Sequence, residues 1–192
     1  QYPEHLISAF WPSESMAKLR GQKGARFMKY TLSVLVENQP GVLSKVAGLF
    51  ARRGFNIDSL AVGVTENPAI SRITIVVNGD EYIVEQVEKQ LNKVIPVIKV
   101  KVLEADRFIS CELSLIKVSC NMKQRAEIMK IAELMQAKIV DVSTTSLTLQ
   151  LADNAEHTET LISLLHPFGI KEICRTGTVA IEKGPAVTRQ KQ

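Results

Sequence analysis

The stretch Glu37-Asn38-Gln39-Pro40-Gly41 holds the residues most able to do chemistry, and that chemistry is anion capture. It separates an alternating apolar segment from one with helical spacing, so a helix begins where it ends. The start of a helix carries free N–H groups and partial positive charge, which suits a carboxylate. Gly41 lets a ligand approach the backbone closely. Asn56, after Gly54-Phe55, adds a second amide at the entry to the next strand. A plainer role is open to each residue: Asn38 as a helix cap, Gly41 and Asn56 as turn formers.

Other chemistries are poorly served. No GxSxG, no phosphate-binding P-loop and no Cys/His pair at catalytic spacing occurs. An acylphosphatase-like site would need a basic residue in 37–41, which has none. An RNA-binding sheet would stack bases on aromatics, yet Ser71–Val77 contains none. The carboxylates read as scattered surface charges. His5, His157 and His166 stand at no ligand spacing from Cys111, Cys120 or Cys174, so no metal site is read. Three cysteines without a CxxC pair point to a reducing compartment.

Charge and composition narrow the field further. The net charge of +4 is carried by the ends: residues 1–27 hold +2 and 183–192 hold +3, which leaves −1 for 28–182. A nucleic-acid binder would carry its basic face on the folded body. No apolar run approaches the ~20 residues that span a bilayer. Apolar residues are 45% and aromatics 5%, so the core is aliphatic.

The elements that must position the loop follow from periodicity. Residues 29–36 alternate, with Tyr30, Leu32, Val34 and Val36 on one buried face. Asn38 and Pro40 suit a helix start, and Leu43, Val46, Ala47 and Phe50 share a helical face. Arg52-Arg53-Gly54 closes that helix. Strands follow at 57–64 and 70–77, a helix at 81–91 burying Val84, Val87 and Leu91, and a strand at 94–102. The order is βαββαβ, with helices on one face of an antiparallel sheet. The pattern repeats: strand 108–120, helix 122–136 (Ile128, Ile131, Ala132 and Met135 inward), strands 138–142 and 145–151, helix 154–166 (Leu161, Leu164 and Leu165 inward), strand 170–181. The expected fold class is α+β, two tandem ferredoxin-like units. Residues 1–27 read as a disordered or non-native leader and 183–192 as a mobile basic tail.

The residues also carry a resemblance. Thr31–Asn38, Pro40-Gly41-Val42-Leu43, Leu49–Ile57, Ser59–Gly63, Ser71–Thr74 and Glu88–Lys93 closely resemble the regulatory (small) subunits of acetolactate synthase. In the second unit, Leu115–Val118, Ala137–Val142 and Arg175-Thr176-Gly177 are similar to that family too. Departures are Leu134-Met135-Gln136, Ser110-Cys111-Glu112 and Cys174.

The resemblance implies an ACT domain at 28–102, carrying effector binding and dimerisation, and a C-terminal ferredoxin-like domain at 107–182. It implies no catalysis by this chain and no cofactor of its own. The catalytic subunit it would bind is expected to use thiamine diphosphate, magnesium and FAD. This chain would raise that subunit's activity and confer feedback inhibition by valine, or by leucine or isoleucine. Asn38, Gly41, Val42, Asn56 and Ile57 fall on the family's effector-binding positions, between ACT domains of a homodimer or higher assembly. The expected location is the cytoplasm, or the plastid stroma in a plant or alga. A free-standing amino-acid sensor acting on another partner is the alternative.

Overall fold

The computed structural model describes residues 28–188; the expected leader and the last residues of the tail lie outside them. The first unit runs β1 (Met28–Glu37), α1 (Val42–Arg53), β2 (Ile57–Val64), β3 (Ile70–Gly79), α2 (Glu81–Leu91) and β4 (Val97–Leu103). Its sheet is antiparallel in the order β2-β3-β1-β4. Leu32, Val34 and Val36 point from β1 into an aliphatic core with Ile73, Ile75 and Val77 of β3. The helices close that core with Val46, Leu49 and Phe50 from α1 and Val84, Val87 and Leu91 from α2.

Three details depart from the periodicity. The apolar face of α1 is Val42, Val46, Leu49 and Phe50; Leu43 is 44% exposed and Ala47 is exposed too. The i, i+4, i+7, i+8 set is rotated from the expected one because the helix starts two residues after Pro40. The fourth strand begins at Val97, since Val94-Ile95-Pro96 turns the chain and the Val97 N–H bonds back to the Val94 carbonyl at 2.8 Å. Finally, β1 is buried on both faces: Thr31, Ser33 and Leu35 are as enclosed as the core side.

The second unit explains that double burial. It runs β5 (Phe108–Ser119), α3 (Arg125–Leu134), β6 (Lys138–Val142), β7 (Ser146–Asp153), α4 (Ala155–Leu165), a 3₁₀ turn (His166–Phe168), β8 (Ile170–Arg175) and β9 (Val179–Glu182). The sheet order is β6-β7-β5-β8, the same as in the first unit. The single final strand expected over 170–181 is broken at Thr176-Gly177-Thr178. Its first part stays on the sheet, while β9 pairs with Phe108–Cys111 at the start of β5. That ribbon lies against the outer face of the first sheet. Thr178 N–H donates to Ser59 Oγ at 2.8 Å, and Lys101 pairs with Glu182. The break requires glycine. Gly177 has φ +82°, and a Cβ there would meet Ser59 Oγ at 2.9 Å and the Leu60 carbonyl at 3.1 Å.

The second core gathers Ile116, Val118, Leu147, Leu149 and Leu151 under Ile128, Ala132, Leu161 and Leu165. Leu164, expected inward, is 40% exposed; Thr158 takes the buried position one turn before Leu161. Past β9, Thr188 is buried and its carbonyl accepts from Arg72, so residues 183–188 of the tail return to the first sheet.

Candidate functional site

The loop between β1 and α1 is held at its base by backbone bonds. Asn38 N–H donates to the Ala69 carbonyl at 2.7 Å, and its side-chain Nδ2 donates to the Pro68 carbonyl at 2.9 Å. Asn38 therefore staples the loop to the β2–β3 turn and is not the helix cap that was one reading of it. The cap is Gly41, in the left-handed region at φ +82°. Pro40 lies outside the helix, two residues before its first turn. No side chain caps α1 and no acid occupies its first turn. The first helical bond runs from Lys45 N–H to the Gly41 carbonyl, which leaves the N–H groups of Leu43 and Ser44 without intrahelical acceptors. The space over Gly41 is open: a Cβ built there meets nothing within 4 Å. Val42, the first helical residue, is buried in the core of the first unit.

Asn56 and Ile57 are elsewhere. Ile57 pairs with Val77, which pairs with Tyr30 near the start of β1. The Asn38 loop leaves the end of β1, level with Ile70. At about 3.4 Å per residue, the seven-residue offset separates the two groups by roughly 24 Å along the sheet. One chain thus joins Asn38, Gly41 and Val42 at one end and leaves Asn56 and Ile57 at the other. Asn56 Nδ2 donates to Asp58 at 3.0 Å.

The sequence reading missed the seam between the units. A cavity of about 630 Å³ opens there, with Lys29 and Asp58 from the first unit facing Glu112, Glu159 and Arg175 from the second. Glu112 is no scattered surface charge: it is 5% exposed. Its place inside an alternating strand, two residues before buried Ser114 and four before buried Ile116, was the signal available. A second cleft, about 530 Å³ and mainly aliphatic, lies between Ala61–Thr65 and the β5–β9 ribbon. Cys111, Cys120 and Cys174 are free thiols. At the start of α4, His157 Nδ1 bonds Asp153 Oδ2 at 2.5 Å. That bond, helped by the Asn154 N–H, holds the Asp153 carboxyl below the usual carboxylate range.

Comparison with known proteins covers both units. Residues 32–99 match the family described as the acetohydroxyacid synthase small subunit-like ACT domain. Residues 111–184 match the family described as the small subunit of acetolactate synthase. The chain is 51% identical over 156 residues to the acetolactate synthase small subunit of Mycolicibacterium smegmatis, covering 81% of this chain and 92% of that protein. It is 49% identical over 157 residues to a probable acetolactate synthase small subunit of Archaeoglobus fulgidus, covering 82% and 98%. The crystal structure of the Thermotoga maritima small subunit superposes with a TM-score of 0.76 at 39% identity, over 83% of this chain and 99% of that one. An open helix start, a doubled βαββαβ fold and relatives near half identity over nearly their whole length agree, and the chain belongs to the acetolactate synthase small subunits, the regulatory and non-catalytic members of that enzyme.

Proposed function

We propose that this chain binds the catalytic subunit of acetolactate synthase, raises its activity, and makes it sensitive to a branched-chain amino acid, with valine as the first candidate. The effector site consists of Asn38, Gly41 and Val42 of one chain with Asn56 and Ile57 of a second. The observation that carries this reading is the uncapped start of α1 beneath open space at Gly41. Its unpaired N–H groups suit the effector's carboxylate, Asn38 and Asn56 suit its polar remainder, and Val42 with Ile57 suits a branched side chain.

The sheet register supports the two-chain arrangement. β2 is an edge strand. A second β2 paired with it about a two-fold axis runs in the opposite direction. That reversal carries the second copy's Asn56 and Ile57 to the Val64 end, which is level with Ser71 and Val36 and adjoins the Asn38 loop. The cofactors stay with the catalytic subunit: thiamine diphosphate, magnesium and FAD. The pair works in the cytoplasm, or in the plastid stroma of a plant or alga.

The test is calorimetric titration of valine, leucine and isoleucine into the dimer, with pyruvate condensation by the reconstituted pair measured across the same titrations. Saturable binding of one of the three, matched to inhibition, is expected. Binding of none of them, or pyruvate turnover by this chain alone, overturns the reading.

A further inference from the structure

The seam cavity contains a charge without a hydrogen-bond partner. Glu112 sits on β5 where the two units meet, and its side chain is 5% exposed. Its Oε1 is fully enclosed and receives no hydrogen bond. The nearest cation is Arg175 Nη1, at 3.8 Å, too far to donate. That guanidinium is committed elsewhere: the same Nη1 lies 2.8 Å from Glu159 Oε1 on α4. On the neighbouring strand the residue opposite Glu112 is Asp153, another carboxylate. A buried carboxylate in this position is costly unless something donates to it.

The cavity walls say what kind of donor is missing. They present Asp58, Glu112, Glu156 and Glu159 against Lys29 and Arg175, an excess of two negative charges. Among the described residues no three acids, histidines or cysteines gather closely enough to hold a metal ion. A cation that brings its own N–H groups meets both demands, charge and hydrogen bonding. The cavity, about 630 Å³, has room for such a group and its stem. Its walls are also fixed in place, since Gly177 packs on Leu60 and Thr178 bonds Ser59 across the seam.

We propose that this cavity takes a guanidinium or primary ammonium group, with the Glu112 carboxylate as its buried acceptor. The favoured source is a lysine or arginine side chain of the catalytic subunit, so the inference rests on the reading that this chain binds that subunit. A free small cation would present the same chemistry.

The experiment compares the full-length parent with Glu112→Gln and Glu159→Gln. Glu112→Gln keeps shape and removes the charge. Glu159→Gln, at an exposed position, frees Arg175 to pair with Glu112 and so occupies the acceptor from within. Three measurements are made on each: melting temperature, affinity for the catalytic subunit, and calorimetric binding of argininamide. Both variants are expected to keep or raise the melting temperature and to weaken association by about tenfold or more, the scale of one lost charged hydrogen bond. Unchanged association with argininamide bound by the parent and by neither variant would still support the site, with a free cation as its ligand. Association within twofold of the parent together with no argininamide binding overturns the proposal. So does a fall in melting temperature for a Glu112→Gln variant that associates normally, since that marks a structural charge. If Glu112→Gln does not fold, Glu159→Gln decides alone. Valine titration of the same variants separates the readings, because the effector site lies outside this cavity and its failure would appear there.

Discussion

The two units differ in the charge and the loop bonding at the start of their first helices. In the first, β1 leads through Asn38–Gly41 to a helix whose start is capped by a left-handed glycine, with no side-chain acceptor and no acid. In the second, β5 leads through Cys120–Gln124 to α3. There Asn121 Oδ1 accepts from the N–H groups of Lys123 and Gln124, and Glu127 sits in the first turn. No side chain caps α3 itself, whereas α2 is capped by Asp80 accepting from Ile83 and α4 by Asn154 accepting from His157. Among these four starts only α1 has neither a side-chain cap nor an acid in its first turn. A repeated fold therefore carries one anion-receptive end, and the difference lies in a few side chains, with the topology unchanged.

Placing a carboxylate at the open start should have the largest effect. Gly41→Asp would compete for the free N–H groups and repel the effector's charge. There is room for the side chain, and left-handed φ costs a non-glycine residue ~1–2 kcal/mol. The folded variant is expected to lose valine inhibition while activation of the catalytic subunit is largely kept. The control is Gln124→Asp at the matching position of the second unit, which should change neither. Pyruvate condensation across a valine titration reads both. Loss of activation together with inhibition in a folded Gly41→Asp variant would mean that the loop also contacts the catalytic subunit.

Next comes the pair of asparagines. Asn38→Ala removes the bond to Pro68 and, in the proposed site, a polar partner of the effector; valine affinity should fall by ~1–3 kcal/mol. Asn121→Ala should cost ~1 kcal/mol of stability as a lost cap-like acceptor and leave valine affinity alone. Calorimetry and urea unfolding on both variants separate the two. If Asn38→Ala loses stability only, the loop asparagine is a staple with no ligand role.

Much of this contrast can be read in the sequence, and the rest depends on tertiary packing. Strict alternation at Leu32, Val34 and Val36 marks β1, and Asp80 before Glu81 marks the start of α2, which the structure places at the expected residue. The cation-then-glycine ending Arg52-Arg53-Gly54 is likewise local, and Gly54 takes the left-handed cap. Asn38 was ambiguous because its partner, Pro68, is thirty residues away. The buried outer face of β1 depends on the β5–β9 ribbon, and that ribbon depends on a break at Gly177 that only the contact with Ser59 and Leu60 demands. Glu112 was missed for the same reason: its burial comes from the other unit.

The smallest effect belongs to a closed helix start. At α4 the Asp153 carboxyl is held below its ordinary range, chiefly by the bond from His157. A carboxyl whose folded pKa is depressed adds stability above its unfolded pKa and loses it as pH falls through the folded one. Stability should therefore drop as the solution is acidified from the usual carboxylate range downward. Asp153 is more than a third exposed, so screening limits the contribution to about a few tenths of a kcal/mol. Asp153→Asn should flatten that part of the acid limb and leave valine inhibition unchanged, because this start is capped by the Asn154 side chain and carries Glu156 in its first turn, which disfavours an anionic ligand. Urea midpoints for parent and variant at descending pH give the comparison. Parallel acid limbs would remove the Asp153–His157 pair from the account, and a shift in valine inhibition would mean that a closed helix start also reports to the effector, against the division between open and closed ends.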